Sequence, residues 1–183
     1  MNIWHDIGRE YVKPDNFTAV IEIPKGSKTK YELDKVTGLL RLDRILHTST
    51  HYPVNYGFIP LTSAEDNDPL DVLVLCSETI TPLALVQCCP IGYINMVDDG
   101  ANDEKIIAVP FTDPMYNGYT TIDELPSHVF AEIEHFFSVY KMLEGKETSV
   151  ISTKGAKEAI AAIESAMKRY SMSGLGRPRI RPM

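Results

Sequence analysis

The chain is poor in cysteine, with three residues, an odd number that forms no CxxC pair. That excludes a disulfide scaffold and leaves no zinc-site spacing; Cys76, Cys88 and Cys89 lie in or beside apolar runs and read as reduced residues in or near a core. Long hydrophobic runs are missing too. No stretch approaches the roughly 18 consecutive apolar residues of a membrane span, and Met1-Asn2-Ile3-Trp4-His5-Asp6 has neither the basic start nor the apolar centre of a secretory signal. The expectation is a soluble, cytoplasmic protein with no membrane partner. Basic charge is the third deficit. Lys and Arg number 18 against 25 Asp and Glu, a formal net charge of −7, whereas nucleic-acid binders present a basic stripe to phosphates. No nucleic-acid partner is expected, and the short run Arg177-Pro178-Arg179-Ile180-Arg181 does not reverse this. Gly174, Gly176, Pro178 and Pro182 mark 170–183 as an irregular basic tail. The familiar catalytic signatures HExxH and GxSxG are absent, and Gly145-Lys146 is followed by Glu147 without the upstream glycine of a phosphate-binding P-loop.

What remains is an ordinary globular composition, 44% hydrophobic and 23% charged over 183 residues, enough for one domain spanning 1–183 to bury a real core. Short apolar runs broken by turn residues predict strands over Thr18 to Ile23, Lys30 to Leu33, Leu39 to Arg44, Asp71 to Leu75, Val86 to Val97 and Lys105 to Val109. Together they make a barrel-like or sandwich-like β core. Two helices follow. The first carries Val129, Phe130, Ile133, Phe136, Phe137, Tyr140 and Leu143 at three- and four-residue spacings and ends before Gly145; the second runs from about Lys154 to Tyr170.

Charge density singles out Glu65-Asp66-Asn67-Asp68-Pro69-Leu70-Asp71, three aspartates and a glutamate in seven residues just before Val72-Leu73-Val74-Leu75. Clustered carboxylates repel one another unless a hard divalent cation binds them through oxygen. Asp, Asn and Pro are also turn residues, so the segment reads equally as an acidic turn that starts a strand. It is not an EF-hand, because Leu70 breaks the ligand ladder and Asp71 stands where the turn glycine belongs. A second acidic turn, Asp98-Asp99-Gly100-Ala101-Asn102-Asp103-Glu104-Lys105, joins two apolar strands and brings Asp98 and Asp103. Several cations fall where apolar residues belong. Alternation puts Arg44 on the face of Leu40 and Leu42, Lys105 on the face of Ile107 and Val109, and Lys30 with Glu32. Each alone reads as a paired or snorkelling rim residue; several facing two acidic turns describe a cleft for a phosphoryl anion and its metals.

With those loops on a β core, the chain resembles the family I soluble inorganic pyrophosphatases, in the compact form usual in prokaryotes. The resemblance rests on Asp66-x-Asp68-Pro69-x-Asp71-Val72, with Ile21-Glu22-Ile23-Pro24, Lys30-Tyr31-Glu32, Asp43-Arg44, Tyr52-Pro53-x-Asn55-Tyr56-Gly57, Asp98 through Lys105, and His135-Phe136-Phe137 with Tyr140-Lys141. It covers nearly the whole chain and implies an α+β, mainly β fold: a closed OB-like five-stranded barrel with two flanking C-terminal helices. The implied activity is Mg²⁺-dependent hydrolysis of pyrophosphate to two orthophosphates, with several ions in each site. By position, Asp66, Asp71 and Asp103 are implied as ligands of activating Mg²⁺, Asp98 with Asp103 of an ion arriving with substrate, and Glu22 and Glu32 of metals at the far side. Asp68 is implied as the catalytic residue acting on the attacking water. Lys30, Arg44, Tyr56, Tyr140, Lys141 and Lys105 are implied on the substrate side, Lys105 also balancing the acidic cluster. The resemblance further implies a homohexamer, a dimer of trimers. Read without it, Tyr140 continues an apolar helix face and Lys141 complements a helix dipole. Two rivals are a hydrolase of another phosphoanhydride and a non-catalytic Ca²⁺- or Mg²⁺-binding β module, which has no use for Lys30, Arg44 and Lys105.

Overall fold

Among residues 2–175, which the computed structural model describes, nine strands and two α-helices follow one another. They are β1 (Val12–Lys13), β2 (Asn16–Ile23), β3 (Thr29–Leu33), β4 (Leu40–Ile45), β5 (Asn55–Ile59), β6 (Leu70–Val74), β7 (Leu85–Asp98), β8 (Ala101–Pro110), α1 (Ser127–Val139), β9 (Thr148–Gly155) and α2 (Ala156–Ser173). The main sheet runs β1-β2-β5-β6-β8-β7-β9, and β2 also pairs with β7, so β2, β5, β6, β8 and β7 form a ring of five strands. The OB-like five-stranded core with two flanking helices is therefore what the chain forms. β3 and β4 make a separate two-stranded ribbon.

Alternation along the ring strands sorts side chains onto two faces. Val72, Val74, Ile106 and Ala108 join a core with Phe17, Ile21, Phe58 and the α2 residues Ala159, Ile163, Ala166 and Tyr170. Leu73, Leu75, Ile107 and Val109 join another with Ile94, Met96, the α1 residues Ile133, Phe136 and Phe137, and Tyr140 just after α1. The two helices thus cover opposite faces of the sheet. Both faces being covered, β2 is buried continuously from Phe17 to Ile23.

Three strands go beyond the sequence reading, the two-residue β1 among them. β5 has no polar alternation because all five of its residues are buried, and Gly57 interrupts its apolar run. That glycine is required by close approach: a Cβ there would lie 1.9 Å from the backbone oxygen of Val20 on β2. Gly57→Ala is expected to destabilise the protein by about 3 kcal/mol, since backbone on both sides of the contact has nowhere to go. A urea midpoint equal to wild type would show that the two strands separate freely. β9 gives no apolar run for the opposite reason, being a half-exposed, Ser- and Thr-rich strand paired along β7 at the edge of the sheet.

Three expectations are corrected. Leu42, expected with Leu40 on an apolar face, does not face a core and is 55% exposed, because the β3–β4 ribbon reaches the core through Leu33 of β3. Arg44 therefore does not continue an apolar face. The helix α2 carries on through Ser173, so 170–173 is helical where an irregular tail is expected; its apolar Tyr170 is anchored in the core. Residues 176–183, with the basic run from Arg177 to Arg181, lie outside the described residues.

Candidate active site

Strand register assembles the site. Asp71 on β6 is the Cα partner of Lys105 on β8, Lys105 of Ile94 on β7, and Asp103 of Met96. Tyr56 on β5 pairs with Leu73, two residues beyond Asp71. Residues facing one another across a ladder, or two apart along a strand, share a face. Tyr56, Asp71, Asp98, Asp103 and Lys105 consequently project on the side that α1 covers. Tyr140 comes from the C-terminal end of α1 and Lys141 follows it. Glu22 arrives from β2, Lys30 and Glu32 from the β3–β4 ribbon.

The loop before β6 is a tight reverse turn. Ala64 N–H donates to the Asp68 carbonyl at 2.7 Å, Asn67 takes a left-handed backbone with φ of 66°, and Asp68 N–H donates to Asp66 Oδ1 at 2.9 Å. Asn is among the few residues that tolerate that conformation, which gives Asn67 a structural task between the carboxylates.

At the centre stands Lys105, only 2% exposed. Its ammonium donates to Asp71 Oδ2 at 2.7 Å, to both Asp103 oxygens at 2.9 and 3.0 Å, and to the Tyr56 hydroxyl at 3.0 Å, while that hydroxyl donates to Asp71. The rings of Tyr56 and Phe137 lie 5.3 and 5.5 Å from the ammonium. Burial works against the charge, yet Asp71, Tyr56 and Asp103 outweigh it and hold the Lys105 pKa well above the ordinary range. Burial also lifts the carboxyls of Asp103 and Asp66: Asp71 and Asp98 add to the rise at Asp103 against Lys105, and Asp103 adds to it at Asp66 against Lys35. Glu22 is pushed up to about 8, by burial first and the Asp71 carboxylate second, although its Oε1 accepts the Leu33 N–H at 2.7 Å.

Around this centre several of the other carboxylates are matched to cations. Asp98 pairs with Lys141 and accepts the Tyr140 hydroxyl at 3.3 Å; Asp68 pairs with Lys35; Lys30 pairs with Glu32 and stands 3.3 Å from Asp43.

A single cleft of about 380 Å³ is lined by Glu22, Lys30, Glu32, Tyr56, Asp66, Asp68, Asp71, Asp98, Asp103, Lys105, Tyr140 and Lys141, so the fold gathers twelve of the thirteen residues singled out in the sequence. The thirteenth, Arg44, is not among the lining residues. Its Nε donates to Glu144 at 3.0 Å and its Nη1 to Asp43 at 2.7 Å, leaving Nη2 buried without a hydrogen-bond partner. Tyr52 and Lys35 are among the lining residues that carry no role in the sequence reading. Tyr52 lies within a quoted motif, and its packing against Phe136 and Tyr56 is its only local mark. Lys35 sits at the ribbon tip, where no periodicity points to it; only the fold sets it against Asp68 and 5.9 Å from the Trp4 ring.

The donor set fits hard cations. Eight carboxyl groups line the cleft (Glu22, Glu32, Asp66, Asp68, Asp71, Asp98, Asp103 and Glu104) against the four ammonium groups of Lys30, Lys35, Lys105 and Lys141. Asp98 Oδ1 is buried with no hydrogen-bond partner. Among the described residues no three carboxylate, imidazole or thiol groups form a ready-made cage. Mg²⁺ asks for none, because it keeps several waters and takes one or two carboxylates at a time. Oxygen donors with no imidazole or thiol among them suit Mg²⁺, Ca²⁺ or Mn²⁺ over zinc.

Comparison with known proteins agrees with this geometry. The model of the family described as inorganic pyrophosphatase matches residues 19–171. Soluble inorganic pyrophosphatase 2 of Chlamydomonas reinhardtii is 49% identical over 167 residues, which are 91% of this chain and 87% of that protein. Soluble inorganic pyrophosphatase 1 of Arabidopsis thaliana is 48% identical over 168 residues, 92% of this chain and 79% of its own length. Among solved structures, the inorganic pyrophosphatase of Thermus thermophilus superposes with a TM-score of 0.88 at 36% identity, covering 92% of this chain and 99% of that one.

Proposed function

The chain belongs to the inorganic pyrophosphatase family, and from that premise we propose that it hydrolyses pyrophosphate to two orthophosphates in a cleft charged with Mg²⁺. The observation that carries this reading is the shared cleft: carboxylates in excess of cations on one wall, with Lys30, Tyr56, Tyr140 and Lys141 facing the same space. Asp66, Asp71 and Asp103 are the proposed ligands of activating ions, Asp98 with Asp103 of an ion carried in by substrate, and Glu22 and Glu32 of ions at the far side. Mg²⁺ bound there supplies a lowered water pKa and neutralises charge on the phosphoryl oxygens.

The protein's own groups do the rest. Asp68, at the mouth of the cleft and half-exposed, accepts the proton of the attacking water as a P–O bond forms. The bridging P–O bond then breaks, and orthophosphate leaves. Lys30, Lys141, Tyr56 and Tyr140 hold phosphoryl oxygens, and Lys141 trades its contact with Asp98 for substrate. Arg44 joins them through the Nη2 that Asp43 and Glu144 leave unpartnered. Such preorganised donors meet charge as it develops, which requires no covalent intermediate. Lys105 spends its donors on Asp71, Asp103 and Tyr56, which makes it the counter-ion of the cluster more than a direct substrate ligand.

Purified protein is expected to release orthophosphate from pyrophosphate with Mg²⁺, to stop in EDTA and to recover when the metal is restored. Pyrophosphate left intact at saturating Mg²⁺ would overturn the assignment, and parallel assays with ATP and tripolyphosphate set the substrate range. Among the described residues no helix is long and apolar enough to cross a membrane. A cytoplasmic homohexamer, built as a dimer of trimers, completes the proposal; light scattering is expected to give six times the chain mass of 20.5 kDa.

A further inference from the structure

We infer that Arg169, on α2 and outside the lining of the cleft, is a positioning residue that holds the two acidic segments of the cluster in register. This rests on the reading above that those segments bind Mg²⁺. Four observations converge on it. Arg169 Nε donates to the Ser63 carbonyl at 2.8 Å across 106 residues of sequence. Ser63 N–H in turn donates to the Ala166 carbonyl of α2 at 3.0 Å, so residue 63 is gripped by the same helix through both its backbone groups. The acidic turn begins at the next residue, where Ala64 N–H closes on the Asp68 carbonyl at 2.7 Å. Finally, Arg169 Nη2 lies 3.7 Å from Glu104 Oε2, and Glu104 Oε1 accepts the Tyr93 hydroxyl at 2.8 Å. Glu104 stands between Asp103 and Lys105 on β8. One guanidinium therefore spans the stem of the loop bearing Asp66, Asp68 and Asp71 and the strand bearing Asp103.

The consequence is mechanical. Ligands of one ion come from a loop and a strand that are more than thirty residues apart in sequence, and the other side-chain ties of the loop's acidic residues, Lys35 to Asp68 and Asn102 to Glu65 at 3.5 Å, are exposed. Mg²⁺ demands near-ideal octahedral geometry, so a small drift of the loop against β8 weakens binding. Groups that orient metal ligands from behind typically alter affinity about 10–100-fold when removed.

The test is calorimetric titration of Mg²⁺ into the substrate-free protein, with steady-state kinetics beside it. Arg169→Met is expected to raise the Mg²⁺ Kd about 10-fold, lower kcat at fixed Mg²⁺ and leave KM for pyrophosphate nearly unchanged at saturating metal. Arg169→Lys retains a cation for Glu104 and is expected to recover part of the affinity; it also serves where the methionine variant does not fold. Ile163→Val, which removes a buried methylene from the same helix and no hydrogen bond, is the control for simple loss of stability. Wild-type Mg²⁺ affinity in both Arg169 variants overturns the inference, as does equal weakening by Ile163→Val at the same loss of Tm. Wild-type protein that neither binds Mg²⁺ nor hydrolyses pyrophosphate overturns the functional reading instead, which keeps the two failures apart.

Discussion

Asp68→Asn is expected to lower kcat about 10³-fold while leaving Tm within a degree or two of wild type. Asparagine keeps the shape of the side chain and its hydrogen-bonding oxygen but cannot accept a proton near neutral pH. Loss of a positioned general base removes about 10²–10⁴ of rate. The stability should hold because the Asp68 carboxylate is half-exposed and its partner, Lys35, is equally so; an exposed ion pair contributes about 0–1 kcal/mol. The turn itself survives, since it is closed by the Asp68 carbonyl and N–H and not by the side chain. Steady-state kinetics at saturating Mg²⁺, paired with a thermal melt, decides the matter. A kcat within threefold of wild type would remove Asp68 from proton transfer and leave it as a loop carboxylate.

The second large effect belongs to Lys105→Met, measured as stability in EDTA. The ammonium is buried among Asp71, Asp103 and Tyr56, and methionine fills much the same volume without the charge. Two carboxylates then face each other in a partly buried site with no counter-ion. Removing one partner from a buried charged network costs about 3–5 kcal/mol, most of it the cost of the charges left behind. Urea denaturation should show a loss of that size. Adding Mg²⁺ should return a larger share of stability to the variant than to wild type, because cations then replace the missing ammonium. The further change Asp71→Asn in the Lys105→Met background should also recover part of the loss, by removing one of the stranded charges. An unchanged midpoint in EDTA would mean that the cluster is solvated well enough to need no counter-ion.

Both predictions rest on residues that the sequence marks for different reasons. Asp68 stands out by density, within a run of carboxylates that reads as a metal site or as an acidic turn until the second acidic turn and the inward cations are set beside it. Lys105 stands out by parity, because it leads the face that Ile107 and Val109 continue, and a lysine there needs an anion. Parity misleads at Arg44. Leu40 and Leu42 alternate as a core face would, yet it is Leu33 of β3 that reaches the core from their ribbon, and Leu42 ends 55% exposed. Alternation reports that two faces differ; it cannot report what covers them. Lys35 had no local signal at all, since its partner Asp68 is 33 residues away. β5 was hidden because burial on both faces erases the period on which strand recognition depends.

The sequence by itself determined the chemical inventory: the acidic turn before β6, the second acidic turn between β7 and β8, the inward lysine and the apolar spacing of both helices. These are local properties, set by neighbouring side chains and by the fixed periods of strand and helix. Only the tertiary structure decided which charges meet. The pairing of β2 with β7 that completes the ring, the parallel register of Asp71 against Lys105, and the reach of Arg169 from α2 to Ser63 all join distant residues. Such contacts are chosen by burial and hydrogen-bond satisfaction over the whole fold, and nothing in a local stretch of chain encodes them.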